Sequence, residues 1–190
     1  MTSTEDADTT AAGVIDHPAG GQDSDDHDRS DHPAVARVLE VLAAFGMTTT
    51  VRHLPDAVRT AKAAADALAI TPAEIANSLV FAADAGDGSP VTPLLVLASG
   101  VRQVDLIKVA DALELPPLRR ATPEEVRGWT GFAIGGVAPV GHLTPLRTVV
   151  DVSMARFPVV WAAAGHSHSV FATSYADLLT LTAGTPLEVV

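Results

Sequence analysis

The chain has 190 residues; 47% are apolar, 4% are aromatic and there is no cysteine. The length allows one domain with a substantial core plus a tail, and the missing cysteine excludes disulfides, thiolate catalysis and cysteine-held zinc or iron–sulfur centres. The net charge of −11 is unevenly placed: residues 1–31 hold nine acidic side chains against Arg29 alone, which leaves only −3 for residues 32–190.

That near-neutral remainder is unlike a non-specific nucleic-acid binder, which is usually basic, so no DNA partner is expected. No apolar run reaches the about 18 residues of a membrane span, and the N-terminus lacks the basic flank and apolar stretch of a signal peptide. A soluble, cytoplasmic protein with no membrane partner is the expectation. Residues 1–31 are rich in Asp, Ser, Thr and Gly and poor in large apolar side chains. They cannot bury enough surface to offset their ordering entropy and are expected to be a disordered acidic tail.

Order is expected from 32 to 190 as one domain. Asp31-His32-Pro33 is a helix start, followed by Val35, Val38, Leu39, Leu42 and Phe45 at helical spacing and by Gly46 as a stop. Thr48–Leu54 alternates like a strand. Thr60 opens an alanine-rich helix to about Leu68, and Thr71-Pro72-Ala73-Glu74 is a capping box that starts a short helical turn. Ser78–Ala83 and Leu94–Ala98 read as buried strands separated by a turn over Asp84–Pro90. Asp105–Leu113 reads as an amphipathic helix, and Thr122-Pro123-Glu124-Glu125 as a second capping box whose helix ends at Gly128. Thr148–Val152 and Val159–Ala163 read as strands, and Ser174–Leu181 as a closing helix. Helices and strands interleave without a regular βαβ rhythm, which favours a mixed sheet with flanking helices, α/β of the α+β kind, over a doubly wound one.

Three segments hold residues suited to chemistry. In Gly131–His142, glycines at 131, 135, 136 and 141 and Pro139 make a loop that can adopt conformations closed to other residues. Its bare N–H groups, at Gly135, Gly136, Val137 and Gly141, suit an oxyanion or anion site; a tight core-crossing turn is the other reading. It lacks the Gly-Lys-Ser/Thr of a Walker loop and the strand–Gly–helix frame of a dinucleotide fingerprint. The second segment, Glu74–Phe81, places polar Asn77 and Ser78 between a helical turn and a buried strand, where a side chain can project into a cleft or serve as a cap. The third, Ala164–Phe171, carries His166 and His168. With His142 these make three imidazoles, but no carboxylate is spaced to complete a metal site, so no metal and no cofactor are expected. No nucleophile elbow accompanies the histidines, which disfavours covalent serine catalysis. Asp105 reads as a helix N-cap, Lys108 as a solvated or phosphate-contacting residue, and Asp151 as a strand-end carboxylate able to order the glycine loop.

These segments, in this order, resemble the YbaK/prolyl-tRNA deacylase-associated domain family over roughly His32 to Val190. The resemblance rests on Arg59-Thr60-Ala61, Ile75–Phe81, Val104–Lys108, Ala121–Val126, Thr130-Gly131-Phe132 followed by Gly135-Gly136-Val137-Ala138-Pro139-Val140-Gly141, Val150-Asp151 and Ala164-Gly165. It implies a mixed, partly barrel-like β-sheet surrounded by helices, with one cleft. It also implies hydrolysis of the ester of mischarged aminoacyl-tRNA, with the 3′ end of the tRNA as partner. The glycine loop would hold the aminoacyl carbonyl and terminal adenosine, with the tRNA's own hydroxyl assisting. Family members with deacylase chemistry usually carry a lysine just before the Ser/Thr-Leu of the strand, and here that position is Asn77. The loss of charge leaves two readings: a deacylase that uses Asn77 with His142 and His166 as the catalytic set, or a non-catalytic module of the same fold that binds a tRNA end or nucleotide. Substrate contacts are expected from Ser78, Gly135, Gly136, Val137, Pro139, Gly141, Asp151 and His168.

Overall fold

The computed structural model describes residues 32–55 and 60–190, so the acidic tail expected at 1–31 and Arg59 of the Arg-Thr-Ala segment lie outside the described residues. In the first helix, α1 (Pro33–Ala44), His32 Nδ1 accepts from the amide of Ala34 at 3.2 Å, and Pro33 occupies the first position, where a missing N–H costs nothing. Ala34, Val35, Val38 and Leu42 form its buried stripe, whereas Phe45, expected inside, caps the helix end and is half exposed. A short strand β1 (Val51–His53) replaces the longer one expected over Thr48–Leu54.

Thr60 Oγ1 accepts from Ala63 N and starts α2 (Ala61–Leu68). The capping box at Thr71–Glu74 forms as read, closing the 3-10 turn Pro72–Glu74. The turn passes directly into β2 (Ile75–Ala83), three residues earlier than the sequence suggested, and β3 (Thr92–Ser99) follows. Asp105 caps α3 (Leu106–Leu113) through the amides of Ile107 and Lys108. A three-residue strand, β4 (Leu118–Arg120), then leads to α4 (Pro123–Thr130), which runs past Gly128 and ends on Gly131 at positive φ. The C-terminal part consists of β5 (Arg147–Asp151), a 3-10 turn (Val152–Arg156), β6 (Val160–Ala163), β7 (Ser169–Thr173), α5 (Tyr175–Thr182) and β8 (Thr185–Leu187). Strands β4, β7 and β8 were not legible in the sequence.

Together the eight strands form one mixed sheet in the order β1-β7-β6-β2-β3-β5-β8, with β4 added beside the end of β2; the described residues contain five α-helices. β2 pairs antiparallel with β3 along its whole length, while β3 pairs parallel with β5 and β2 parallel with β6. Both faces of the central pair are covered. Ala76, Val80, Leu95 and Leu97 pack with Phe132, Val150, Met154 and Leu178, and Phe81, Leu94, Val96 and Ala98 pack on the other side under Val109 and Leu113 of α3. A smaller cluster joins α2 to the sheet through Ala64, Ala65, Leu68, Ile75 and Val170. Side chains of this kind contribute on the order of 1.5–3 kcal/mol each when fully buried, so the central pair is the rigid floor on which the cleft is built.

Candidate functional site

A cleft of about 530 Å³ lies above the first half of β2. Its walls are α2 at Ala61 and Lys62, the glycine segment at Ile134, Gly135 and Val137, Trp161 and Ala163 of β6, Ser167, and Ser169 at the start of β7. Four expected site residues meet here: Asn77, Ser78, Gly135 and Val137. Asn77 also lines a neighbouring cavity of about 410 Å³ with Arg102 and Arg120, and Ser78, Gly135 and Val137 line a third of about 180 Å³ with Val80, Ala121 and Val126. Among the described residues that line the main cleft, Lys62 is the cation and there is no Asp, Glu or His. Lys108 is tied to the carbonyl of Val190 and to Glu188, while Arg102 faces the neighbouring cavity.

The floor contains a break in the sheet. β6 pairs with β2 only at Ile75 and Ala76, and β4 pairs with it only at Phe81, Ala82 and Ala83. The carbonyl of Ile75 accepts from Gly100 N, so odd-numbered residues of β2 direct their backbone groups to β3 and even-numbered ones to the opposite side. Two observations agree with that phase: Val80 O, on the open side, accepts from Ala121 N, and Ser99 N, opposite Ala76, turns from β2 to Asp151. The N–H and C=O of Ser78 therefore face the gap between β6 and β4. Ser78 Oγ is shielded and has no partner among the described residues.

The glycine loop faces this gap in a shape its residues require. Gly135 has φ +88°, open to glycine at little cost. A Cβ on Gly136 would lie 2.8 Å from the carbonyl carbon of His166 and 2.9 Å from the amide of Ser167, so only glycine lets the loop rest on the 165–168 turn. At its far end the loop is held by α1. Arg37 Nε donates to Gly141 O at 2.6 Å, and its guanidinium sits 4.8 Å over the Phe132 ring. No local pattern signals Arg37, because its partners lie about a hundred positions away.

The remaining expected residues are not among those lining the main cleft. His142 does not line it: its Nε2 donates to Ala138 O at 2.8 Å and its ring meets Phe132 edge-on. Burial, with Arg37 nearby, keeps this imidazole below its usual pKa and so in its neutral form, although the Ala138 contact opposes the shift. His166 and His168 stand side by side with His32, ring centres 5.4 and 5.1 Å from His166, on the turn that supports Gly136. Among the described residues no group of three or more His, Asp or Glu side chains could hold a metal. Asp151 is buried and does not order the glycine loop. It accepts from Ser99 N, Ser153 N and Ser153 Oγ, fixing the end of β3 next to cleft-lining Gly100. Pro139 lies in the buried stretch Val137–Val140 of the loop.

A mixed sheet whose main cleft is walled by a glycine loop, with no carboxylate or imidazole among its described lining residues, defines an α/β domain with a candidate ligand site. The chain belongs to the aminoacyl-tRNA editing domain family, whose profile matches residues 55–181. A solved structure described as a candidate trans-editing enzyme for prolyl-tRNA synthetase is similar, with 40% identity and a TM-score of 0.73 over 83% of this chain and 96% of that one. The uncharacterized protein YwhH of Bacillus subtilis is 34% identical over 110 residues, 58% of this chain and 66% of YwhH. A proline–tRNA ligase of Nitratidesulfovibrio vulgaris is 32% identical over 129 residues, 63% of this chain but 21% of the ligase. The chain thus spans about two thirds of YwhH and about a fifth of the ligase. No helix among the described residues is long and apolar enough to cross a membrane.

Proposed function

We propose that this protein is a deacylase that clears mischarged aminoacyl-tRNA in the cytoplasm, with the aminoacylated 3′ end seated between β2 and the glycine loop. The observation that carries the reading is the convergence of Asn77, Ser78, Gly135 and Val137 on one cleft in a chain of the editing-domain family. An aminoacyl ester is already activated, so positioned water and a stabilised oxyanion suffice. Water adds to the ester carbonyl; the bond to the ribose oxygen breaks and the amino acid and free tRNA leave. The amides of the glycine loop face the developing negative charge, and Asn77 orients the substrate by hydrogen bonding. Water is activated by the hydroxyl of the tRNA's terminal ribose, in keeping with a cleft whose described lining holds no carboxylate or imidazole. Gly136, Pro139, Gly141, His142, His166 and His168 are assigned to holding the loop in shape, and Asp151 to holding Ser99 and Gly100.

The second reading, a non-catalytic module that binds a tRNA end, is favoured by one observation: Asn77 stands where the deacylases resembled carry lysine, and Lys62 brings the only charge to the described lining. Hydrolysis measured over a panel of mischarged tRNAs separates the two. Release of amino acid at least a hundredfold above the buffer rate for one member is expected. Binding of the charged end with no release from any member would leave the binding module instead.

A further inference from the structure

We infer that the main chain of Ser78 recognises the aminoacyl residue of the substrate by pairing with it as a one-residue β-strand; this rests on the proposed function. The break in the sheet is very short. Ala76 is paired with Ala162 of β6, and on the other side Val80 O is already taken by Ala121 N. Between them only Ser78 presents both an N–H and a C=O to the gap. A peptide strand would need several such residues in alternation, and no room is left for one.

An aminoacyl group matches this opening. In an antiparallel hydrogen-bonded pair, two facing residues exchange both of their bonds. The aminoacyl group has the same two groups on either side of a single Cα, an α-ammonium donor and a carbonyl acceptor. The ammonium donates to Ser78 O, in a charge-assisted bond of the stronger kind. The ester carbonyl accepts from Ser78 N–H, and on attack the same N–H and the amides of the glycine loop share the oxyanion. Gly135 and Val137 line the same two cavities as Ser78, which sets the loop opposite this strand edge. Because the contact is made by main chain, it requires nothing of the substrate's side chain. It does require a free amine, and so favours an aminoacyl ester over one lacking the α-amine.

The test uses the ¹⁵N-labelled full chain and 3′-(L-alanylamino)-3′-deoxyadenosine, a stable amide in place of the ester. Hydrogen exchange of the Ser78 amide is expected to slow at least tenfold on saturation, and the 3′-propionylamino analogue, which lacks the amine, to bind at least tenfold more weakly, in line with loss of a charge-assisted bond. Perturbation of Gly135 and Val137 with unchanged exchange at Ser78 would overturn the pairing while leaving the proposed function in place. Equal affinity for the two analogues would overturn it as well. If neither compound perturbs any residue of the cleft, the pairing and the proposed function both fall.

Discussion

Arg37 Nε donates to the carbonyl of Gly141 at 2.6 Å, joining α1 to the end of a loop 104 positions away. The same guanidinium covers Phe132 and reaches toward Thr130 O, so one side chain holds both ends of the segment that faces the cleft. Replacing it removes a charge-assisted bond and leaves a carbonyl without its partner, a loss of about 2 kcal/mol. Arg37→Ala is expected to lower the melting temperature by roughly 4–8 °C and to reduce turnover of a cleared tRNA more than that loss of folded protein explains. Arg37→Lys is expected to recover little, because an ammonium cannot both donate to Gly141 and lie flat on the ring. Thermal unfolding and single-turnover deacylation check both.

Two glycines give a contrast. At Gly136 an added Cβ meets backbone of His166 and Ser167 at 2.8–2.9 Å, whereas at Gly128, inside α4, nothing lies within 4 Å. Gly136→Ala is expected to push the loop off the 165–168 turn and abolish ligand binding at the cleft. Gly128→Ala is expected to raise stability by about 0.5–1 kcal/mol through helix propensity, with binding unchanged. Denaturant melts and titration with the alanylamino analogue distinguish them.

Asp151 accepts three hydrogen bonds in a fully buried setting. Asp151→Asn keeps the shape but turns one acceptor oxygen into a donor facing other donors. A loss of about 2–3 kcal/mol is expected, with Ser99 and Gly100 displaced at the cleft wall. Chemical denaturation measures the first, and amide shifts of Ser99 and Gly100 the second.

Acid should loosen the molecule in two stages. The His142 imidazole has a folded pKa below the ordinary 6.5, so the unfolded chain binds its proton first and stability falls as the pH drops below about 6.5. Glu125, held by Arg119 and by the amide of Thr122, is lowered from 4.5 to about 2, so its contribution is complete above 4.5 and is lost between there and 2. His142→Gln is expected to flatten the first stage and Glu125→Gln the second, in melting temperature followed from pH 7.5 to 3. The Glu125 effect is reduced by solvent screening, since its ion pair with Arg119 is partly open to water.

Much of this protein is written locally. The capping boxes at Thr71–Glu74 and Thr122–Glu125, the N-caps at Thr60 and Asp105, and the long strands β2 and β3 each depend on residues three or four apart, or on an apolar run, and all were legible before any partner was known. Strands β4, β7 and β8 were not, because three to five residues carry no clear period and each exists only through its neighbour in the sheet. β7 was further concealed by the histidines just before it.

The site divides the same way. Glycine spacing and the order of motifs marked Gly135–Gly141 and Asn77–Ser78 as one region and pointed to the family. Only the tertiary structure decided which members face the cleft. It put His142 behind the loop, turned Asp151 toward Ser99, brought Arg37 from the first helix and left Ser78 without a strand neighbour on the side away from β3. The physical reason is that a residue's type and its near neighbours set its local conformation, whereas its exposure and its hydrogen-bond partner depend on which distant segment packs against it. Pairing across a sheet is a long-range event, and so is the absence of a pair.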